Sequence, residues 1–585
     1  MIHQSNGKSG GLSPIQKEYL SGFFAGAAGR SHVSPTAPVS RTPEAANDVV
    51  SEPHVYGTPL SDLSKEEVWK VEQDPLDLWE RIVACAEGDE APVGADVFRF
   101  KYHGLFHVAP AQDSFMLRVR VPGNVMTAAQ LHGLADMASA WGAGYGDVTT
   151  RGNIQLREFP PKHVVRVLMK LQDLGLSSRG AGADNVRNIT ATPTSGIDPT
   201  ELYDVRPLAR ALQFYIANSR DLYGLPRKFN VSFDSGGRIS VVADTNDIAF
   251  VATRVPEGGA LPAGVYFRVL LAGITGHNRF AIDAGLALEA HECVPVAAAM
   301  LRVYTTNGDR TNRKKARLVY LLDRWGVDKY LAEVEKKLGF PLRRCAVSAG
   351  ETRPAIERRG HIGVHAQRQT GLNYVGVAIP VGRMGAEQMH GLAAIAESCG
   401  DGELRPTVWQ NVIVTGVPDA SVDEVRARVR ELGFDTEATS VGAGLVACTG
   451  NTGCRFSATN TKGQSTALAA YLDERFVLDT PLNIHLTGCA HSCAQHYVGD
   501  IGLLGTSVTV DGIAQEGYHV YVGGGTDDAQ GLGREVFRSV PFGDLPQTLE
   551  RMLAAYVRER APVEPFVTFV RRHETDALRT LFASE

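Results

Sequence analysis

Val119-Arg-Val-Pro-Gly-Asn-Val-Met-Thr-Ala-Ala-Gln-Leu-His-Gly-Leu-Ala135 returns later in the chain as Val377-Ala-Ile-Pro-Val-Gly-Arg-Met-Gly-Ala-Glu-Gln-Met-His-Gly-Leu-Ala393. Val119 falls on Val377, Gln130 on Gln388 and His132 on His390, at a constant offset (377 − 119, 388 − 130 and 390 − 132 each give 258). The register persists, with Thr149 on Thr407 and Asn153 on Asn411. Each copy reads as a strand, a turn at its proline, a helix and a further strand. Two copies so far apart do not build a solenoid. They point to a duplicated chain folded with pseudo-twofold symmetry, with a site between the halves lined from both.

Downstream of the second copy lie four cysteines in two short loops, Cys448-Thr-Gly-Asn-Thr-Gly-Cys454 and Cys489-Ala-His-Ser-Cys493, separated by 34 residues. Four thiolates gathered in this way suit a [4Fe–4S] cluster. Neither pair has the C-x2-C spacing of a zinc ribbon. Gly450 and Gly453 allow a tight first loop and leave backbone N–H groups free to point at the sulfurs. The remaining cysteines, Cys85, Cys293, Cys345 and Cys399, are scattered and read as free thiols. His485, His491 and His496 crowd the second pair, where structural histidines are the commoner case.

The chain has 585 residues, enough for three or four domains, and a net charge of −6. That balance gives no reason to expect nucleic acid or an anionic membrane as partner. No apolar run reaches the length of a membrane span, and the N-terminus does not read as a signal peptide, so a cytoplasmic protein is expected. Pro14 to Ala28 reads as a short amphipathic helix and Gly29 to Leu60 as a flexible linker. A helix is expected over Pro75–Glu87, with Leu76, Leu78, Trp79, Ile82 and Val83 on its apolar side, and the folded body from Val97. Between the repeats, helices are expected at Leu202–Ala217, Val294–Arg302 and Arg317–Leu338, with strands at Phe229–Phe233, Ile239–Ala243 and Val265–Leu271. Further helices are expected at Ser465–Phe476, Leu545–Arg558 and Val567–Phe582.

Asp309-Arg-Thr-Asn-Arg-Lys-Lys-Ala-Arg317 is a dense basic segment at a helix start, where the helix dipole favours acidic groups. A polyanionic ligand is one reason for it. Arg118 and Arg120, Arg151, Arg187 and Lys228 each follow or flank a short strand. Together with the cysteines they suggest a central pocket for an anionic cofactor and an anionic substrate.

From about Phe98 onward the sequence resembles the sirohaem-containing sulfite and nitrite reductases, whose cluster signature is C-x5-C…C-x3-C. The resemblance implies an α/β (α+β) fold of duplicated ferredoxin-like half-domains plus two α/β domains that bind sirohaem and cluster. The expected boundaries are 1–95 for the N-terminal helix, linker and entry helix, then 96–175, 176–361, 362–430 and 431–585. It also implies that Cys448, Cys454, Cys489 and Cys493 hold the cluster, with Cys493 bridging to the sirohaem iron. Arg151, Arg310, Arg313, Lys314 and Arg317 are implied to neutralise sirohaem carboxylates, and Arg118, Arg187 and Lys228 to surround the open face of the haem.

Within the family, sulfite reductases carry K-F-K and nitrite reductases K-W-N where this chain has Lys228-Phe229-Asn230. Asn230 matches the nitrite branch, and Phe229 is the sulfite-like aromatic. One fewer cation suits the singly charged nitrite, and an amide can still donate to a bound oxygen. T-G-N in the first cysteine loop, the run from Cys493 to Gly505 and the opening Ile15 to Gly26 also look like bacterial assimilatory ferredoxin–nitrite reductases. The implied reaction is six-electron reduction of nitrite to ammonium. No G-x-G-x-x-G follows a strand, so the electrons are expected from an external reduced ferredoxin or flavodoxin. A monomer is expected. Sulfite reduction with the same cofactors, a non-catalytic iron–sulfur carrier and a zinc-stabilised structural protein are the competing readings. Two positions depart from the family: Ala490 replaces a frequent proline, and Gly152 replaces a frequent glutamine.

Overall fold

In the computed structural model, which describes residues 52–259, 261–345 and 353–583, each copy of the repeat forms an antiparallel sheet crossed by a long helix. The first sheet runs, in spatial order, Arg383–Gly385, Tyr145–Val148, Ile154–Phe159, Phe115–Arg118 and Leu105–His107. The second runs Gly363–Ala366, Leu372–Val377, Val412–Pro418, Glu403–Pro406 and Met126–Thr127. Each sheet therefore borrows an edge strand from the other copy: Met384 pairs with Gly146, and Met126 with Leu404. Exchange of this kind covers two edges that would otherwise be open. Both halves also share one apolar core, in which Leu117, Leu131, Leu156, Val375, Met389 and Val414 are buried together.

The long helices, Ala128–Trp141 and Ala386–Cys399, pack against each other and repeat each other's details. A Cβ on Gly133 would stand 2.4 Å from the side chain of Leu174, and one on Gly391 the same distance from Leu432. Gln130 and Gln388 donate to the carbonyls of the same two leucines, at 3.0 and 2.9 Å. The first helix has a full capping box between Thr127 and Gln130. In the second, Gly385 has no hydroxyl to offer, so only the Gln388 half remains, accepting the Gly385 N–H at 2.8 Å.

Two further five-stranded sheets share one topology. One orders Ile282–Leu288, Gly264–Leu271, Ile248–Val255, Phe229–Asp234 and Val186–Ala191. The other orders Leu445–Ala447, Ile484–Thr487, Ile501–Val510, Ile513–Val522 and Arg534–Pro541. In each, three parallel strands in sequence are followed by two antiparallel ones. Each sheet has its own core.

Several expectations need correcting. Ile239–Ala243 is not a strand but a buried loop, in which Val242 takes a left-handed conformation and the Val241 N–H bonds the Asp234 carboxylate at 3.2 Å. Its apolar residues are buried for packing, which mimics a strand pattern. The helix expected over Arg317–Leu338 breaks at Gly326, whose φ is +73°. Val567–Phe582 divides into Phe566–Arg571 and Thr575–Ala583. The entry helix spans Trp79–Gly88, and Trp79 lies on its exposed side. Folded structure begins well before Val97: Lys65–Glu72 is a helix, and His54–Val55 pairs with Thr58–Pro59 at the end of the expected linker. The helix expected over Pro14–Ala28 and the rest of that linker lie outside the described residues.

Candidate active site

The four cysteines are set by strand ends. Cys448 follows Leu445–Ala447, and Cys489 follows Ile484–Thr487 after a single glycine. These are the carboxyl ends of adjacent parallel strands, the usual place for a ligand in such sheets. Gly488 joins the two loops. A Cβ there would stand 1.7 Å from Ser457 Oγ, so only glycine allows the approach, and its carbonyl accepts the Ala458 N–H at 2.7 Å. Its own N–H donates to Cys448 Sγ at 3.2 Å. The N–H directed at a sulfur therefore comes from Gly488, while that of Gly453 goes to the Gly450 carbonyl.

All four are free thiols. Burial, with the charges of the neighbouring cysteines, pushes Cys489 up to about 11 and raises Cys493. Bringing thiolates together is unfavourable without a positive centre among them. Among the described residues no group of three or more His, Cys, Asp or Glu is placed to hold a single metal ion. Four sulfurs that feel one another but do not close on one point fit a cluster, whose irons lie between them. The donor set thus fits a [4Fe–4S] centre.

Cys493 is exposed, yet it lies deep within the protein body, so its thiol faces a hollow. The cations that act on its charge are Lys228 and Arg118. Among the described residues the Arg118 guanidinium donates only to the Ala181 carbonyl, at 3.2 Å, and stacks 4.5 Å from the Phe106 ring. Arg187 donates to the same carbonyl at 2.7 Å and to that of Ala183 at 2.9 Å. Arg151 reaches Asn246, and the Lys228 ammonium has no partner among the described residues. Among the described residues no carboxylate forms an ion pair with any of the four, although Asp247 acts on Arg151 and Asp184 on Arg187 from further away. Desolvation pushes Arg118 and Arg151 down to about 10, Lys228 down to about 7 and Arg187 well below its ordinary value. Unpaired, desolvated cations are costly. Lys228 and Arg118 act on the exposed Cys493, and Arg187 acts on Lys228; with Arg151, these cations fit a ligand that brings several carboxylates, as sirohaem does.

The basic segment is arranged differently. Arg310 is buried against Glu67 at 2.5 Å and Arg313 forks onto Asp184 at 2.7 and 2.9 Å. Arg317 forks onto Asp247 at 3.0 and 2.7 Å, while Lys314 is exposed with no side-chain partner among the described residues. Asp247 also accepts the Asn230 N–H at 2.8 Å, so Arg317 holds the strand that carries Asn230. The Asn230 side chain has no partner of its own among the described residues. Sequence reasoning missed Asp184 and Asp247, because an isolated aspartate has no motif. It also missed Arg227, which lowers Lys228 further. His485 and His496 are buried, bonded to the Ala494 carbonyl (2.8 Å) and to Ser492 (2.9 Å), and burial lowers them to about 4 and about 3. These bonds, with Ala494 N–H to Thr487 Oγ1 at 3.2 Å, hold the Cys493 loop without a proline at Ala490. His491 is exposed beside Cys489 Sγ, at 3.4 Å.

Gly152, next to Arg151, has φ +55°, and a Cβ on it would stand 1.4 Å from Asn124 Nδ2. In the other half the corresponding pair is reversed. Gly382 stands for Asn124 and Gln410, with φ +64°, stands for Gly152. Gln410 bonds Ala447 in both directions, at 2.8 and 3.0 Å, and so secures the strand just before Cys448. Asn124 donates to the Pro406 carbonyl and accepts from Ala191 N–H, each at 2.9 Å. The missing glutamine is thus replaced from across the turn. Gly152→Gln is expected to cost about 2–4 kcal/mol, from left-handed strain and overpacking. Adding Asn124→Gly should recover a large part of that loss, read as a non-additive double-mutant cycle in denaturant melts.

Comparisons with known proteins agree with this geometry. Residues 182–342 and 443–582 match the nitrite and sulphite reductase 4Fe-4S domain. Residues 107–174 and 365–432 match the nitrite/sulfite reductase ferredoxin-like half domain. The ferredoxin–nitrite reductase of Synechococcus elongatus is 36% identical over 84% of this chain and 96% of its own. That of Leptolyngbya laminosa is 38% identical over 85% and 98%. The solved structure of the Mycobacterium tuberculosis NirA protein superposes with a TM-score of 0.81 at 26% identity, covering 88% of this chain and 98% of that one. With two half-domains, two cluster-type domains and four convergent cysteines, the chain belongs to the nitrite and sulphite reductase family.

Proposed function

We propose that this protein reduces nitrite to ammonium with electrons from reduced ferredoxin. The observation that carries the reading is a set of four desolvated cations, Arg118, Arg151, Arg187 and Lys228, none ion-paired to a carboxylate among the described residues, of which Lys228 and Arg118 act on the exposed Cys493. Cys448, Cys454, Cys489 and Cys493 would hold the [4Fe–4S] cluster, and Arg151 with the paired Arg313 and Arg317 would face sirohaem carboxylates. When bound, the coupled cluster and sirohaem supply single electrons and an open iron for the substrate nitrogen.

Nitrite takes six electrons and eight protons to become ammonium and two waters. Arg118 and Arg187 are fixed by backbone carbonyls, so their remaining N–H groups are pre-aimed at the substrate oxygens, with no reorganisation as charge develops. Lys228 Nζ can release a proton to a departing oxygen near neutral pH and regain one from water, because burial has brought it down to about 7. The free amide of Asn230 donates without adding charge. No helix among the described residues is long and apolar enough to cross a membrane. The same reading has the chain work as a cytoplasmic monomer that meets its donor transiently.

Visible spectra of anaerobically purified protein, before and after nitrite and then sulfite, test the reading. A Soret band with an isobacteriochlorin long-wavelength band, shifted more readily by nitrite, is expected. Preference for sulfite would move the assignment to sulfite reduction, and iron–sulfur absorption with no haem would remove the enzyme. Asn230→Lys is expected to move the preference toward sulfite, measured as the ratio of the two kcat/KM values. An unchanged ratio would show that Asn230 does not select the substrate.

A further inference from the structure

His132 and His390 occupy equivalent positions in the two halves and meet where the long helices cross. Their Nδ1 atoms are 2.7 Å apart and their ring centroids 5.0 Å. Each Nε2 faces a carboxylate from the opposite helix: His132 faces Glu397 at 3.5 Å and His390 faces Asp136 at 3.4 Å. The carboxylates break the symmetry, because the repeat offset pairs Asp136 with Ala394 and Glu397 with Ser139. Both rings are partly exposed, so solvent reaches the pair. Nothing in the proposed reaction uses these residues.

A carboxylate opposite Nε2 favours the tautomer with hydrogen on that nitrogen, leaving Nδ1 as a lone pair. The 2.7 Å contact is an N–H···N hydrogen bond when one ring carries its hydrogen on Nδ1; with both hydrogens on Nε2 the two lone pairs repel unless a positive centre lies between them. A shared proton can fill that place, and so can a metal ion that prefers imidazole nitrogen. The arrangement of carboxylate, imidazole and vacant nitrogen is the one that orients histidine ligands in metal sites. Here it occurs twice, pointing at one spot.

We propose that His132 and His390 form a binding site for one zinc-like divalent metal ion on the pseudo-twofold axis, bridging the two half-domains. Zinc–imidazole bonds of about 2.0–2.1 Å in tetrahedral geometry require the nitrogens to part by roughly two-thirds of an ångström, which side-chain rotation of partly exposed rings can supply. Among the described residues no third His, Cys, Asp or Glu joins the pair as a ligand. Water completes the coordination, and Glu397 and Asp136 act from behind the rings. The bound ion would tie one half-domain to the other at a point remote in function from the cysteine cluster.

The test is calorimetric titration of the holoenzyme, its cluster and sirohaem in place, with zinc. The wild-type protein is expected to bind one equivalent more than either His132→Gln or His390→Gln, while the exposed-site control His291→Gln keeps that equivalent. Glu397→Gln should keep the stoichiometry and weaken the site by about tenfold or more. Haem absorption and melting temperature confirm that each variant is folded, and Glu397→Gln serves alone should the histidine variants fail that check. Equal stoichiometry and affinity across wild type and both histidine variants would overturn the proposal. Loss in only one of the two would also overturn it, since the site needs both rings.

Discussion

Replacing Cys493 with serine is expected to abolish turnover and to strip the coupled chromophore from the visible spectrum, while leaving the polypeptide folded. A serine hydroxyl stays protonated and is a hard oxygen donor, a poor substitute for the thiolates that hold iron–sulfur clusters. The fold should survive, because the Cys493 sulfur has no hydrogen-bond partner among the described residues. Its thiol faces the hollow, and the loop is held by backbone contacts. Thr150 Oγ1 donates to the Cys493 carbonyl at 3.1 Å, and the neighbouring Ala494 is tied to Thr487 and His485. Iron and labile sulfide analysis, with a thermal melt, separates the outcomes. A folded variant depleted of chromophore is the expected result. An active variant with an unchanged haem spectrum would contradict the role given to this residue.

Duplication was legible because one amphipathic pattern, with its Gln and His, recurs at a fixed offset. The exchange of edge strands was not. Met126–Thr127 and Arg383–Gly385 are too short to carry a periodic signal, and their pairing is decided by where the two halves dock. The cysteine ligands were legible from spacing. The N–H aimed at Cys448 was not, because it comes from Gly488, which is distant in sequence and brought near by adjacent parallel strands. The basic segment looked uniform in sequence. In the fold its cations divide by depth: Arg310 is buried and pins the helix Lys65–Glu72 through Glu67, whereas Lys314 remains in solvent. Which arginine finds a carboxylate depends on long-range packing. Gly152 could be seen as a departure, but its compensation by Asn124 required knowing that the two residues face each other.

The second large effect expected is at Lys228. On the proposed reading, Lys228→Gln should lower kcat/KM for nitrite by about 10²–10³, the usual cost of removing one preorganised charge-stabilising donor. Glutamine keeps a donor on a side chain one atom shorter, so the loss would report chiefly the charge and the mobile proton. The sign of the pH dependence follows from the environment. Desolvation first, then Arg317, lower the Lys228 ammonium to about 7, with Cys493 opposing and Arg227 and Arg187 adding to the shift. Folding therefore penalises the charged form. Above about 7 the unfolded chain holds a proton that the folded one has released, so this group adds stability as pH rises from there toward its ordinary value. Substrate binding runs the opposite way, because an anion favours the charged ammonium. The kcat/KM for nitrite should fall as pH rises through the value of the free enzyme, which anionic cofactor carboxylates nearby will move upward. In Lys228→Gln that limb should vanish from the pH profile along with most of the rate. A variant that loses rate yet keeps the same alkaline limb would assign the titration to another group, and one that keeps the rate would remove Lys228 from the substrate site.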